Sequence, residues 1–331
     1  MTQFAALQTT LLTDQPARTE VVTRQQQDLP RQDLLVAVEY SCLNYKDALS
    51  AAGNKGVSRN YPHTPGIDAA GSVVRDGSGR FAAGQRVLVS GFDMGMNSPG
   101  GLAERLSVPA EWACVCPDNL SLIDAMTLGT AGLTAAMCID KLESVGARAG
   151  DELLVTGASG GVGSLAVLLA AARGYKVTAM TGKADAEVLL QTLGASCVTQ
   201  PDQWLAASDK PLLKPQWSYA VDTLGGDALF NVLKATHAEG AVAACGLAAG
   251  AEFAANVYPF ILRGVSLLGV DSAERAIDYK ATLWQRLAVD ASPAKLALLR
   301  REISLAEAPE YLQKMLSGHS LGRVVVAMSK A

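Results

Sequence analysis

Between Val155 and Arg173 the chain reads TGASGGVGSLAVLLAAA, with Gly157, Gly160 and Gly163 recurring every third residue. An apolar strand, ELLV, precedes the run and an alanine-rich helix follows it. Glycines so placed let the main chain turn tightly, approach a pyrophosphate and pack helix against strand. The N–H groups of a first helical turn attract an anion. Ser159, Gly160, Gly161, Val162 and Gly163 are therefore candidate cofactor contacts. The spacing is GxxGxxG rather than GxGxxG, so its place after the first strand of a βαβ series carries much of the argument. The same letters satisfy GxSxG, the nucleophile elbow of serine hydrolases, with Asp222 and then His237 or His319 downstream in the required order. No HGGG-like oxyanion segment lies upstream, and a hydrolase sheet would have to begin well before residue 120.

The next strand decides which dinucleotide. An NAD enzyme usually ends its second strand on Asp or Glu, for the ribose 2′-hydroxyl. Here that place reads Met180-Thr181-Gly182-Lys183. A hydroxyl and an ammonium stand where a carboxylate would repel a 2′-phosphate, so the expected cofactor is NADPH. Asp185 and Glu187 follow in a first helical turn, where the helix dipole accounts for them.

The elements that must position these residues change character along the 331-residue chain. Up to about Val115, short β-branched or alternating runs such as LLVAVEY (34–40) and QRVLVS (85–90) are cut by Gly, Pro and Asp, and read as a mostly β domain. The stretch 121–146 suits one or two helices broken at Gly129 and Gly132. From Asp151 strands and helices alternate, implying a parallel sheet covered on both faces. The closing GRVVVAM strand resembles the first segment more than the second. The expected organisation is a discontinuous domain, 1–124 with 272–331, holding an inserted dinucleotide domain at 125–271.

Bulk composition excludes several classes. Apolar residues make up 49% and the net charge is −4, without a basic block, which argues against a nucleic-acid partner. The longest purely apolar run, Leu165–Ala172, is far below the ~20 residues of a membrane span. The N-terminal stretch lacks a basic segment ahead of an apolar one, so a cytoplasmic protein without a membrane partner is expected. Six scattered cysteines and three dispersed histidines form no metal-ligand spacing, and no metal is expected.

Taken together, SCLNYKDAL (41–49), PGIDAAG (65–71), GGLAERLSV (100–108), TGASGGVGS (156–164), ACGLA (244–248), PFILRGVSLLGVDS (259–272) and EISLAEAPE (302–310) are similar to the acrylyl-CoA reductase group. That group lies in the zinc-independent, quinone oxidoreductase-like branch of the medium-chain dehydrogenase/reductase superfamily, and the resemblance covers essentially the whole chain. It implies an α/β protein with a GroES-like domain and a Rossmann-type domain, a homodimer that reduces the C=C bond of a small 2-enoyl-CoA with NADPH. NADPH:quinone oxidoreduction is the alternative, and a module that binds NADPH without turnover is a remoter one. Zinc enzymes of the superfamily carry Gly-His-Glu where this chain has Gly66-Ile67-Asp68, and isoleucine cannot ligate a metal. Hydride addition at Cβ develops charge on the thioester oxygen and leaves Cα to be protonated. Tyr45 is the candidate donor near nicotinamide or substrate, with stacking on the cofactor or simple packing as its alternative role, Asn44 is its positioner, and Asp68 a buried orienting group; Lys46 and Asp47 read as a solvated pair or a helix start. The resemblance adds the Cys245-Gly246-Leu247 turn, Ser272 and Arg323 as cofactor contacts. Gln200 falls where related chains carry arginine, leaving Lys183 more of the 2′-phosphate recognition.

Overall fold

The computed structural model describes residues 2–201, 209–318 and 320–328. It divides into two compact units: 1–130 with 273–288 and 299–331, and 131–272 with 289–298.

The first unit is built around strand Leu34–Cys42, which pairs antiparallel with Asp68–Asp76, with Arg105–Val108 and with the late strand Arg323–Ala327. Further strands extend the sheet to seven, and a hairpin of Gln3–Leu12 and Gln15–Gln25 stands beside it. The alternation visible in LLVAVEY has a direct cause. Leu34, Val36 and Val38 point into one core with Leu7, Leu106 and Val326. Each such side chain contributes about 1.5–3 kcal/mol relative to exposure. A short helix, Tyr45–Ala51, leaves the end of the central strand.

The second unit is a six-stranded, wholly parallel sheet. In spatial order its strands are Cys197–Thr199, Lys176–Met180, Glu152–Val155, Trp217–Asp222, Thr236–Ala244 and Ser266–Gly269. Leu153, Leu154 and Val155 are all fully buried, so the apolar run is continuous rather than alternating, as a sheet covered on both faces requires.

The helical stretch Leu122–Ser144 breaks at Gly129 (φ 52°, ψ −156°) and continues through Gly132, so only the first of the two expected breaks exists. Its length and composition would suit a membrane span, but 83% of its most apolar window is buried within the protein.

Candidate cofactor and active site

In the second unit the strand order reverses direction between Glu152–Val155 and Trp217–Asp222. Ligands of open α/β sheets bind outside the carboxyl ends of strands at such a point. Here the two strand ends are stitched together. Thr156 Oγ1 donates to Asp222 Oδ1 (2.7 Å) and accepts from the Thr223 N–H (3.0 Å), while Thr223 Oγ1 donates to Thr156 O (2.9 Å). Burial raises the Asp222 pKa, opposed by the Gly225 N–H and the Thr156 hydroxyl. The turn at Cys245 joins the same knot, its N–H donating to Asp222 O (2.9 Å).

The glycine loop sits directly after this knot. Gly157 has φ +57°, and a Cβ there would lie 2.3 Å from Thr223 Oγ1. Gly163, in the first turn of helix Gly161–Ala172, faces the Gly157 carbonyl: a Cβ would come within 2.3 Å of it. Gly160 differs, since its φ is ordinary and the nearest atom to a Cβ is 3.3 Å away. Two glycines are demanded by the protein's own packing; the third leaves open main chain. The first-turn N–H groups of Gly161 and Val162 have no residue four positions back within the helix to accept from them. A cradle that side chains would fill, lined with such donors, fits a dinucleotide pyrophosphate.

The adjoining strand ends carry the other expected contacts. Thr181 and Ser159 are both buried, Thr181 Oγ1 donating to Ser159 Oγ (2.8 Å) and accepting from the Lys183 N–H (3.1 Å). The Thr181 hydroxyl is thus occupied internally, while Gly182 is exposed and Lys183 half-buried at the same strand end. Burial lowers the Lys183 pKa, countered by Asp185. Gln200 is exposed just past strand Cys197–Thr199, whose Thr199 carbonyl accepts from the Thr181 N–H (3.0 Å). Leu247 is 59% exposed beyond Thr236–Ala244. Ser272, beyond the sixth strand, accepts from Thr134 Oγ1 (2.7 Å), a partner no motif announced.

The hydrolase reading finds no support in this geometry. Ser159 is engaged by Thr181, and its backbone is not among the positive-φ residues that a strained elbow would produce. His237 is exposed, and His319 lies outside the described residues.

In the first unit the expected catalytic residues gather around a buried polar cluster. Asn44 caps helix Tyr45–Ala51; its N–H donates to Asp47 Oδ2 (2.8 Å), a reciprocal cap. Asp47 Oδ1 accepts from Gly66 N–H (3.0 Å) and Ile67 N–H (2.9 Å), tying the helix start to the PGID turn. Burial pushes the Asp47 pKa up to about 7 against these donors. Of the two expected readings, Asp47 is the helix start, a structural residue, rather than part of a solvated pair.

Asp68, fully buried, accepts from Asn44 Nδ2 (2.8 Å), Thr130 N–H (2.9 Å), Thr130 Oγ1 (2.8 Å) and Cys42 Sγ (3.3 Å). Arg323, expected as a cofactor contact, is 3% exposed and turns its fork inward. Its Nε donates to Thr127 O (2.9 Å), Nη1 to Asn44 Oδ1 (3.2 Å) and Nη2 to Cys42 Sγ (3.0 Å). The carboxylate and the guanidinium thus act through the Asn44 amide and the Cys42 thiol. Between them they fix which way the amide points. Burial raises the Cys42 pKa well above its usual value, with Asp68 adding to the rise, so the bridging group is a neutral thiol. Gly129 closes the cluster: a Cβ there would lie 2.8 Å from Cys42 Sγ, 2.9 Å from Asp68 Oδ2 and 3.0 Å from Arg323 Nη2. Above this base Tyr45 is 49% exposed. Cys42, Gly129 and Thr130 were not foreseen as site residues, and no local spacing could have shown them.

Residues 30–118 match the alcohol dehydrogenase GroES-like domain, and residues 161–299 match the family described as zinc-binding dehydrogenase. The chain is 40% identical over 300 residues to the acrylyl-CoA reductase AcuI of Ruegeria pomeroyi, covering 90% of this chain and 91% of that one. The chain belongs to the medium-chain dehydrogenase/reductase superfamily. A Bacillus subtilis superfamily member, YhfP, provisionally named a quinone oxidoreductase, is 43% identical over 329 residues, 99% of each chain. Its crystal structure, with NAD bound, aligns at TM-score 0.94 and 43% identity over 99% of this chain and all of that one. The Escherichia coli protein YhdH, solved with bound NADPH, also aligns at TM-score 0.94, with 42% identity over 98% of this chain and all of that one. The fold expected of this superfamily, a GroES-like domain with a parallel Rossmann-type domain, is the fold observed. Among the described residues no group of three or more His, Cys, Asp or Glu side chains is placed to hold a metal ion.

Proposed function

We propose that this oxidoreductase uses NADPH to reduce the C=C bond of a small 2-enoyl-CoA, acrylyl-CoA being the first substrate to try. The observation that carries the reading is the near full-length likeness to an acrylyl-CoA reductase in a chain whose nucleotide cradle is intact. The cradle at Gly160, Gly161, Val162 and Gly163 would hold the pyrophosphate, with Ser159 and Thr181 shaping its floor. Lys183 and Gly182, with Gln200 alongside, would meet the 2′-phosphate; Leu247 and Ser272 would line the nicotinamide half. When bound, the reduced nicotinamide supplies the hydride that Cβ of the enoyl group takes.

The chain's own task is then to steady the charge on the thioester oxygen and deliver a proton to Cα. Tyr45 is the donor for this work: its phenol is exposed at the start of a helix whose cap, Asn44, is clamped by Asp68 and Arg323. In this reading Asn44, Asp68 and Arg323 are positioning residues, and Arg323 supports the site from beneath rather than touching the cofactor. We place the protein in the cytoplasm as a homodimer. Edge strand Ser266–Gly269 and the helix before it, Tyr258–Arg263, expose Ile261 (69%) and Leu262 (62%), apolar area that a second copy would cover. Sedimentation should return twice the chain mass; a monomer would remove this element.

The reaction is tested by following NADPH consumption with acrylyl-CoA and with a benzoquinone. Faster turnover of the thioester is expected, and a rate equal to buffer alone would overturn the reading, while a faster quinone rate would favour the alternative. Because one relative was solved with NAD, the cofactor needs its own arm. Lys183→Ala should raise the NADPH KM roughly tenfold, the loss of one charge-assisted phosphate contact, and leave NADH nearly unchanged. Equal effects on both cofactors would count against Lys183.

A further inference from the structure

Resting on the reading of the substrate as an acyl-CoA, we propose that an open pocket in the first unit, carrying Lys55 and Arg59, binds the phosphates of the CoA moiety. The pocket has a volume of about 420 Å³ and is walled by Thr10 and Leu11 of the N-terminal hairpin and by Tyr61 and Pro62. Nothing in the mechanism above uses it, and no motif pointed to it.

Charge is the first argument. The chain is net acidic, yet this concavity carries two cations and no carboxylate in its wall. Several other basic side chains are instead committed to carboxylates: Arg18 to Glu20, Arg173 to Glu143 and Asp290, Arg300 to Asp124, Lys314 to Glu310. Among the described residues Lys55 and Arg59 form no ion pair. Arginine's planar fork and lysine's point charge together are the side chains that suit phosphate oxygens.

Rigidity is the second. The loop bearing the two cations is held at both ends. Tyr61 Oη donates to Ser50 O (2.8 Å), and the buried hydroxyls of Ser50 and Ser58 bond each other (2.7 Å). The Gly56 N–H donates to Asn54 Oδ1 (2.8 Å), and Thr9 pairs with His63 through both main-chain bonds. A phosphate group would meet cations on a fixed frame, so little ordering remains to be done on binding.

Reach is the third. Helix Tyr45–Ala51 separates the proposed donor, Tyr45, from the loop that carries Lys55. Seven residues at about 1.5 Å each make a spacer of roughly 10 Å. The pantetheine arm between a thioester and the first phosphate is a chain of about a dozen bonds of about 1.5 Å, roughly 15 Å when extended. A thioester placed at Tyr45 can therefore deliver its phosphates to the far end of the same helix. A quinone has nothing to put there.

The test uses the double variant Lys55→Ala/Arg59→Ala, with wild-type and variant both saturated with NADP⁺ so that the dinucleotide site is blocked. Free CoA binding, read by calorimetry, should weaken roughly tenfold or more in the variant, and high salt should weaken it in the wild type. The KM for acrylyl-CoA should rise by the same factor at unchanged kcat. Turnover of the N-acetylcysteamine thioester of acrylate, which carries no phosphate, should not change. CoA binding equally well to both proteins, or to neither, overturns the proposal. Wild-type protein that binds CoA through these residues but does not reduce acrylyl-CoA would leave the phosphate site standing and remove the reaction.

Discussion

Replacing Arg323 with leucine lowers the stability of the first unit by about 3–5 kcal/mol, the cost of stranding a buried charge by removing its partner. The magnitude follows from where the charge lies. Arg323 and Asp68 are both buried, and the cation reaches the carboxylate only through Asn44 and Cys42. Without the guanidinium, Asp68 keeps its Thr130 donors but loses the positive field that offsets its burial. Asn44 Oδ1 also loses a donor, so the amide is no longer held in one orientation. The double change Arg323→Leu with Asp68→Asn should recover part of the loss, because no uncompensated charge remains; such non-additivity is the signature of contact through a shared network. Denaturant titration with a probe in the first unit measures both. A single variant as stable as the wild type would show that Arg323 contributes nothing internally, and an altered NADPH KM in such a stable variant would return it to the cofactor.

What the sequence disclosed and what it withheld divide along contact distance. The glycine loop was legible because its logic is local: Gly157, Gly160 and Gly163 lie within seven residues and follow their strand directly. The continuous apolar strands, and the return of Arg323–Ala327 to the β sheet, were legible for the same reason, since β-branched runs announce themselves. The cluster beneath Tyr45 was not. Arg323 and Cys42 stand 281 positions apart, and no periodicity links them. Sequence reading saw Gly129 as a helix breaker but could not see the three polar atoms that require it to lack a side chain. Asp47, readable as a surface charge beside Lys46, is held by three main-chain N–H groups, two of them some twenty residues away. From sequence Thr181 stands beside the 2′-phosphate position; its hydroxyl turns to Ser159, a choice that depends on the neighbouring strand end.

Gly163→Val should abolish NADPH binding, whereas Gly160→Ala should weaken it while leaving the fold intact. The contrast follows from what each glycine faces. At Gly163 a Cβ would stand 2.3 Å from the Gly157 carbonyl oxygen and 2.8 Å from Ala158 Cα, both main-chain atoms that cannot swing aside. The helix Gly161–Ala172 must then back away from the turn, at about 1–3 kcal/mol for such overpacking, and its first-turn N–H groups move with it. Because those donors hold an anion only when aimed together, a displacement on the order of 1 Å is costly to recognition. At Gly160 the nearest protein atom to a Cβ is the Gly157 carbonyl oxygen at 3.3 Å and φ is −78°, so alanine asks that carbonyl to give by only a few tenths of an ångström. A loss of affinity there without a loss of thermal stability reports the ligand's approach to the main chain. Calorimetric titration with NADPH, alongside thermal melts of each variant, separates the two effects. A Gly160→Ala protein that binds as tightly as the wild type would mean that the pyrophosphate does not approach this turn. A Gly163→Val protein with full affinity would mean that the cofactor does not rest on this helix.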